Sequence, residues 1–327
     1  MRRVLRRPGV AAGRERGVSL IELVVAMLLG MLLLAGAVTV FMQGDRTSRT
    51  AAPVSRLEET LRAAFDALDP DIRMASYWGM TNRAELVTGA AGPAAPRTAI
   101  DALVHNNCGA NWTANLVQFI DARDKGKYDL ACPASNPTPW SDVLIIRRAS
   151  ASATTPRAGK IQIQTNRQAG EIFANGVVPH GFGPPPRSET HDLIVRAYYV
   201  GAAAPSADGL PRFALHVKTL SQDASGQPGI IDTIVAPGIV DLQVQFGVDT
   251  GSDNNAAVYV NPGAPELATG RVVSVKLRLA AISDQPETGE VSAGQQLLGD
   301  YDFGPASDHR RRIVMQKTIA LRNAQAP

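Results

Sequence analysis

The sequence predicts an α+β fold, with one long amino-terminal helix laid against a mainly antiparallel sheet. Three observations predict it. Residues 18–42, VSLIELVVAMLLGMLLLAGAVTVFM, are an almost unbroken apolar run. Val54, Leu57, Leu61, Ala64 and Leu68 then recur at spacings of three and four, the apolar stripe of an amphipathic helix. Beyond residue 70 the pattern changes to short alternating runs split by Pro, Gly and Ser, which read as strands and turns.

As a helix, residues 18–42 extend roughly 37 Å at about 1.5 Å per residue, more than the ~30 Å hydrocarbon core of a bilayer. Arginines at positions 2, 3, 6, 7, 14 and 16 precede the run, against the single acid Glu15. The positive-inside rule therefore keeps residues 1–17 cytoplasmic and sends the rest of the chain across. Taking that leader from the chain's 33 basic and 30 acidic residues leaves 27 and 29. The formal charge of +3 is thus a property of the leader, and the pI near 9.0 gives no electrostatic footing for a nucleic-acid partner.

A polar joint, Gln43-Gly44-Asp45-Arg46, leads into the amphipathic stretch. Pro53 is expected to kink or open the helix, and Asp69-Pro70 to stop it. The organisation expected is a leader over 1–17, a helix over 18–69 and a β-rich head over 70–327. Strands are expected at 142–147, 160–165, 192–200, 212–220, 230–235, 239–248, 271–282 and 312–322. In the sixth, Val240, Leu242, Val244 and Phe246 share one face, as a half-buried strand requires. Loop insertions are expected at 88–98, 133–139, 150–159 and 181–187.

One residue does not suit the first helix. Glu22 costs roughly 2.5–3.5 kcal/mol near the middle of a membrane span. A secretory signal cut after Ala37 has no use for it, and the apolar run continues past that site. A plain anchor explains the length but not the carboxylate. Gly17-Val18-Ser19-Leu20-Ile21-Glu22 resembles the processing site of type IV prepilins: basic leader, glycine, apolar helix, and glutamate at the fifth mature position. The resemblance implies that a membrane-embedded prepilin peptidase cuts between Gly17 and Val18 and that the new amine of Val18 is methylated. Val18 departs from the phenylalanine usual there, which bears on methylation more than on cleavage. A cationic amine at Val18 lies four residues before Glu22, on the same helix face. Glu22 can neutralise such an amine on a neighbouring subunit, and this favours lateral assembly over isolation in lipid.

GIVDLQVQFGVDTGSDNNAAVYV, then RVVSVKLRLAAIS and a last strand ending in LRN, is similar to the carboxy-terminal part of PilW-type minor pilins. So is the insert running from Cys108-Gly109 through Trp112 to Cys132. That resemblance implies a non-enzymatic minor pilin that helps prime a type IV pilus and is incorporated near its tip. It implies as partners other minor pilins, the major pilin, the prepilin peptidase and the inner-membrane assembly platform. The location implied is the inner membrane with a periplasmic head before assembly, and the extracellular pilus afterwards. A large pseudopilin of a type II secretion system shares the same amino-terminal physics and is the alternative. An exported binding protein released after Ala37 is a further one.

Cys108 and Cys132 are the only cysteines. In an exported head an oxidising compartment favours a disulfide between them, worth on the order of 3 kcal/mol; two unpaired thiols are the other reading. Neither has the CxxC partner of a zinc site.

Catalytic patterns are absent from the sequence. The histidines at 105, 180, 191, 216 and 309 show no paired-ligand spacing. His180-Gly181-Phe182-Gly183 lacks a nucleophile elbow and reads as a turn before three prolines. No cofactor is expected. Asp249, Asp253 and Asn255 offer alternating oxygens for calcium, but a polar hairpin turn explains them equally well. Arg310-Arg311-Arg312 reads as a solvated strand entrance rather than a DNA contact. Asn111-Trp112-Thr113 matches a glycosylation sequon.

Overall fold

A computed structural model describes residues 17, 19–204, 212–251, 253–286, 297–298, 301–302 and 309–324. Val18 and the leader 1–16 lie outside the described residues. The chain divides into two compact units, residues 1–52 and 53–327.

Helix α1 runs Leu20–Arg73 with both Pro53 and Pro70 inside it. Pro53 is the first residue of the second unit and lies within the helix. The expected stop at Asp69-Pro70 is corrected: the helix continues one turn further. Proline removes the N–H that would bond to the carbonyl four residues back, and other contacts hold the last turn. Leu68 and Ile72 are fully buried, Arg73 bonds Asp69 at 2.7 Å, and Met74 N–H donates to the Pro70 carbonyl at 3.1 Å.

The head's strands are β1 (Val87–Thr88), β2 (Ile120–Arg123), β3 (Val143–Ala149), β4 (Ala158–Thr165), β5 (Gly170–Asn175), β6 (Glu189–Ala202) and β7 (Phe213–Gln222). They continue with β8 (Pro228–Pro237), β9 (Ile239–Asp249), β10 (Val258–Val260), β11 (Arg271–Ile282), β12 (Leu297–Leu298), β13 (Tyr301–Asp302) and β14 (Arg312–Ala320). Two one-turn helices, α2 (Ala99–Ala102) and α3 (Glu266–Thr269), interrupt the loops.

The first sheet follows the order β1-β5-β4-β6-β3-β2, with β7 and β8 added through the long β6. The second runs β10-β9-β11-β14. Among the described residues, every pairing between named strands is antiparallel except β1 with β5. All eight expected strands are present within a few residues. The last one ends at Ala320 rather than Arg322, because Arg322–Ala324 turn into a 3-10 helix.

The second half of α1 lies in a core drawn from both sheets. Leu57, Leu61, Ala64, Phe65, Leu68 and Ile72 share it with Leu144, Ile146 and Tyr198 of the first sheet and with Val244, Leu277 and Ile319 of the second. Strand alternation then gives β3 and β6 a second buried face. Ile145, Val195, Ala197 and Tyr199 belong to a separate cluster with Trp112, Leu116, Cys108 and Cys132 of the insert. All seven residues of β3 are buried.

Candidate functional site

The amino-terminal helix starts at a capping arrangement. Ser19 precedes the first helical residue, its carbonyl accepts from Leu23 N–H at 3.2 Å, and its N–H donates to Glu22 Oε2 at 3.1 Å. That is the reach-back half of a capping box, Ser-x-x-Glu. Glu22 therefore has a local use the sequence reading missed, although the spacing that signals it, Ser19 three residues before Glu22, was on view. The carboxylate also complements the positive end of the helix dipole.

From Leu20 to Gln43 the helix is long and apolar enough to cross a membrane, and none of this stretch is buried within the chain. Ile21 is 70% exposed, Leu33 75% and Phe41 77%. The one hydroxyl of this stretch, Thr39 near its carboxy-terminal end, donates to the Ala35 carbonyl at 2.7 Å, so it makes no demand on water. The exposed surface suits lipid or a neighbouring apolar helix, and Glu22 is its acidic residue.

In the head, Cys108 and Cys132 form a disulfide with an S–S distance of 2.04 Å. The insert it closes is organised by Asp101, a fully buried carboxylate from α2. Asp101 accepts from Thr113 Oγ1 at 2.9 Å, Asn111 N–H at 3.0 Å, Asn107 Nδ2 at 2.7 Å and Arg97 Nε at 3.1 Å. Asn111 is also fully buried. Its amide donates to the carbonyls of Gly92, Ala95 and Pro96 and accepts from Thr98 N–H. The sequon asparagine is thus spent on folding the insert, with no face open to a glycan.

A carboxylate the sequence reading passed over locks α1 to the first sheet. Asp71 is 1% exposed and accepts from Arg148 Nη2 at 2.7 Å, Arg148 Nε at 3.0 Å, Arg196 Nη1 at 2.9 Å and Tyr198 OH at 2.7 Å. Burial and the Asp71 charge push the Tyr198 phenol well above its ordinary pKa. Burial alone would lower Arg196, but Asp71 outweighs it and raises the guanidinium's pKa. The signal was available: Asp71 falls three residues after Leu68 on the apolar stripe.

The oxygens offered to calcium do not fit a cation. Asp249 Oδ1 accepts from Gly251 N–H at 2.9 Å, while Oδ2 accepts from Asn254 N–H at 3.0 Å and from the Arg271 guanidinium at 2.8 Å. Asp253 turns instead to Asn255 N–H at 2.9 Å. The segment is the turn of the β9–β10 hairpin, with an arginine already on its main carboxylate. The reading of Arg310 as solvated is corrected: it is 3% exposed, and Nη2 lies 3.3 Å from the Asp284 carbonyl. His180-Gly181 is a turn. His191 and His216 are buried in separate places, bonded to the Ser150 and Ala202 carbonyls.

Comparison with known proteins places both ends of the chain. The family model for type IV pilus-assembly protein W matches residues 197–323, from the end of β6 through β14. The prokaryotic N-terminal methylation motif matches residues 13–38, which span Gly17, Glu22 and most of the exposed apolar run. No curated protein matches the chain. Among solved structures, a type IV-like pilin from Thermus thermophilus aligns over 83% of this chain and 99% of its own, at 14% identity and a TM-score of 0.34. A score that low adds nothing to the fold described above. The chain thus resembles type IV pilus proteins at both ends, through a methylation motif on the exposed apolar helix and a stretch of the head similar to type IV pilus-assembly protein W.

Proposed function

We propose that this protein is a minor pilin that helps to prime a type IV pilus and enters it near the tip, acting by assembly and not by catalysis. The observation that carries the reading is the helix Leu20–Gln43, apolar on all sides, unburied, and acidic only at its start. After cleavage between Gly17 and Val18, the Val18 amine of an adjacent subunit and the Glu22 carboxylate are opposite charges needing partners in a low-dielectric bundle. Pairing them satisfies both and sets the axial register. The Ser19–Glu22 bond supports the same arrangement, because it holds the carboxylate at the helix start, where a neighbour's amine would arrive. The head remains on the periplasmic side until assembly carries it outward. Its partners there are other minor pilins and the major pilin, on the inner-membrane assembly platform.

Amino-terminal sequencing of the protein from its native host tests the processing step; Val18 is expected, and Met1 or Val38 overturns it. Glu22→Ala tests the pairing. Surface pili should fall several-fold and co-purification with other pilins should weaken, while the head melts at the wild-type temperature. Unchanged pilus number would remove Glu22 from assembly.

A further inference from the structure

Beside the disulfide the head has a surface cleft walled by Cys108, Trp112, Gln118, Arg123, Asp129 and Arg147. Arg147 comes from β3, on the face turned away from α1, and is 2% exposed. Its Nε donates to the Trp112 carbonyl at 2.8 Å and its Nη1 to the Gln118 carbonyl at 2.7 Å. The guanidinium lies 5.6 Å from the centroid of the Trp112 ring. No carboxylate bonds to it, and Nη2 has no acceptor among the described residues. Burial pulls its pKa down to about 10, and Asp121 nearby offsets only part of that. A buried cation met by carbonyls alone is a costly state that an anion would relieve.

The cleft's other features define that anion. The Trp112 side chain lines the same cleft, and its indole N–H is buried without an acceptor among the described residues. At the mouth, Asp121 and Asp129 both pair with Arg123, the second at 2.9 Å. Those carboxylates would repel a dianion but leave room for a single negative charge on a planar fork. We infer that the cleft binds a small monoanionic carboxylate, held by Arg147 Nη2 between the Trp112 and Gln118 walls. Hydroxyls on the ligand would meet Asp129, whose side chain is 61% exposed. The same chemistry is offered by a free small acid and by a sugar acid at the end of a glycan.

Calorimetry on the full chain in detergent, at constant ionic strength, tests this with acetate, glucuronate and inorganic phosphate. Both carboxylates should saturate with Kd of about 1–10 mM, and phosphate should bind at least about tenfold more weakly. Glucuronate tighter than acetate assigns the sugar acid; equal affinities assign the free acid. Arg147→Gln should abolish binding, but it alters a buried site and could prevent folding. Gln118→Glu is the cleaner variant, because Gln118 is exposed at the rim and only its backbone carbonyl holds Arg147. It should weaken binding at least about tenfold with an unchanged Tm. No saturation up to about 100 mM, phosphate binding as tightly as the carboxylates, or equal affinity in Gln118→Glu overturns the inference.

Discussion

Asp71 and Asp192 show how single carboxylates fix this head. Asp71→Ala strands two guanidiniums, Arg148 being only 10% exposed in its side chain. Breaking a buried pair from one side costs about 3–5 kcal/mol, and the urea midpoint of the full chain in detergent should fall accordingly. Asp192 gathers Lys160 at 3.0 Å, Gln162 at 2.9 Å and Thr154 at 3.1 Å. Burial pushes its pKa upward, but those partners outweigh it and hold it below the ordinary value of 3.8. A depressed carboxylate contributes its full stability above the unfolded pKa of about 3.9 and loses it as pH falls toward the folded pKa. Asp192→Asn should therefore lower stability at pH 7 and flatten the decline below about pH 4, as read from urea midpoints against pH. Burial likewise raises the phenols of Tyr77, Tyr128, Tyr198 and Tyr199. Absorbance titration near pH 10 should show fewer phenolates in the folded chain than in urea.

At the scale of elements, periodicity told most of the story. The α1 stripe is legible because Leu57, Leu61 and Leu68 bury one face, and Leu61→Ala should cost about 2–5 kcal/mol in thermal melts. An exposed neighbour such as Arg62→Ala should change little. The long strands were legible through alternation and β-branched content. Strand β5, GEIFAN, was not: its apolar residues Ile172, Phe173 and Ala174 are consecutive rather than alternating, and pairing with β4 makes it a strand. Pro70 misled for the opposite reason, since burial of Ile72 keeps the helix going past a strong local breaker. A further close approach hides at Gly201, where an added Cβ would strike the Ser135 carbonyl. Gly201→Ala should loosen the 133–138 loop from β6, seen as faster amide exchange at Ala202, which now bonds the Ser135 carbonyl at 2.8 Å.

For the molecule as a whole, the amino-terminal signals were readable because lipid imposes strict demands on length and charge. The disulfide of the insert was readable from its two cysteines, but the bonding around Asp101 and Asn111 was not, since they draw partners from residues 92 to 113 with no periodicity to announce them. The disulfide should matter accordingly: Cys108→Ser with Cys132→Ser should destabilise the head by about 3 kcal/mol, measured under non-reducing conditions against wild type. The buried Asn111 amide also has a consequence for making the protein in a eukaryotic secretory pathway. Oligosaccharide is attached to Asn-Trp-Thr while the polypeptide is still unfolded, before the insert can close around it. A sugar added there would occupy the space of the Gly92, Ala95 and Pro96 carbonyls, so modified chains should be retained as misfolded while Asn111-sparing molecules are secreted. Thr113→Ser would not escape this, because serine keeps the acceptor sequence intact.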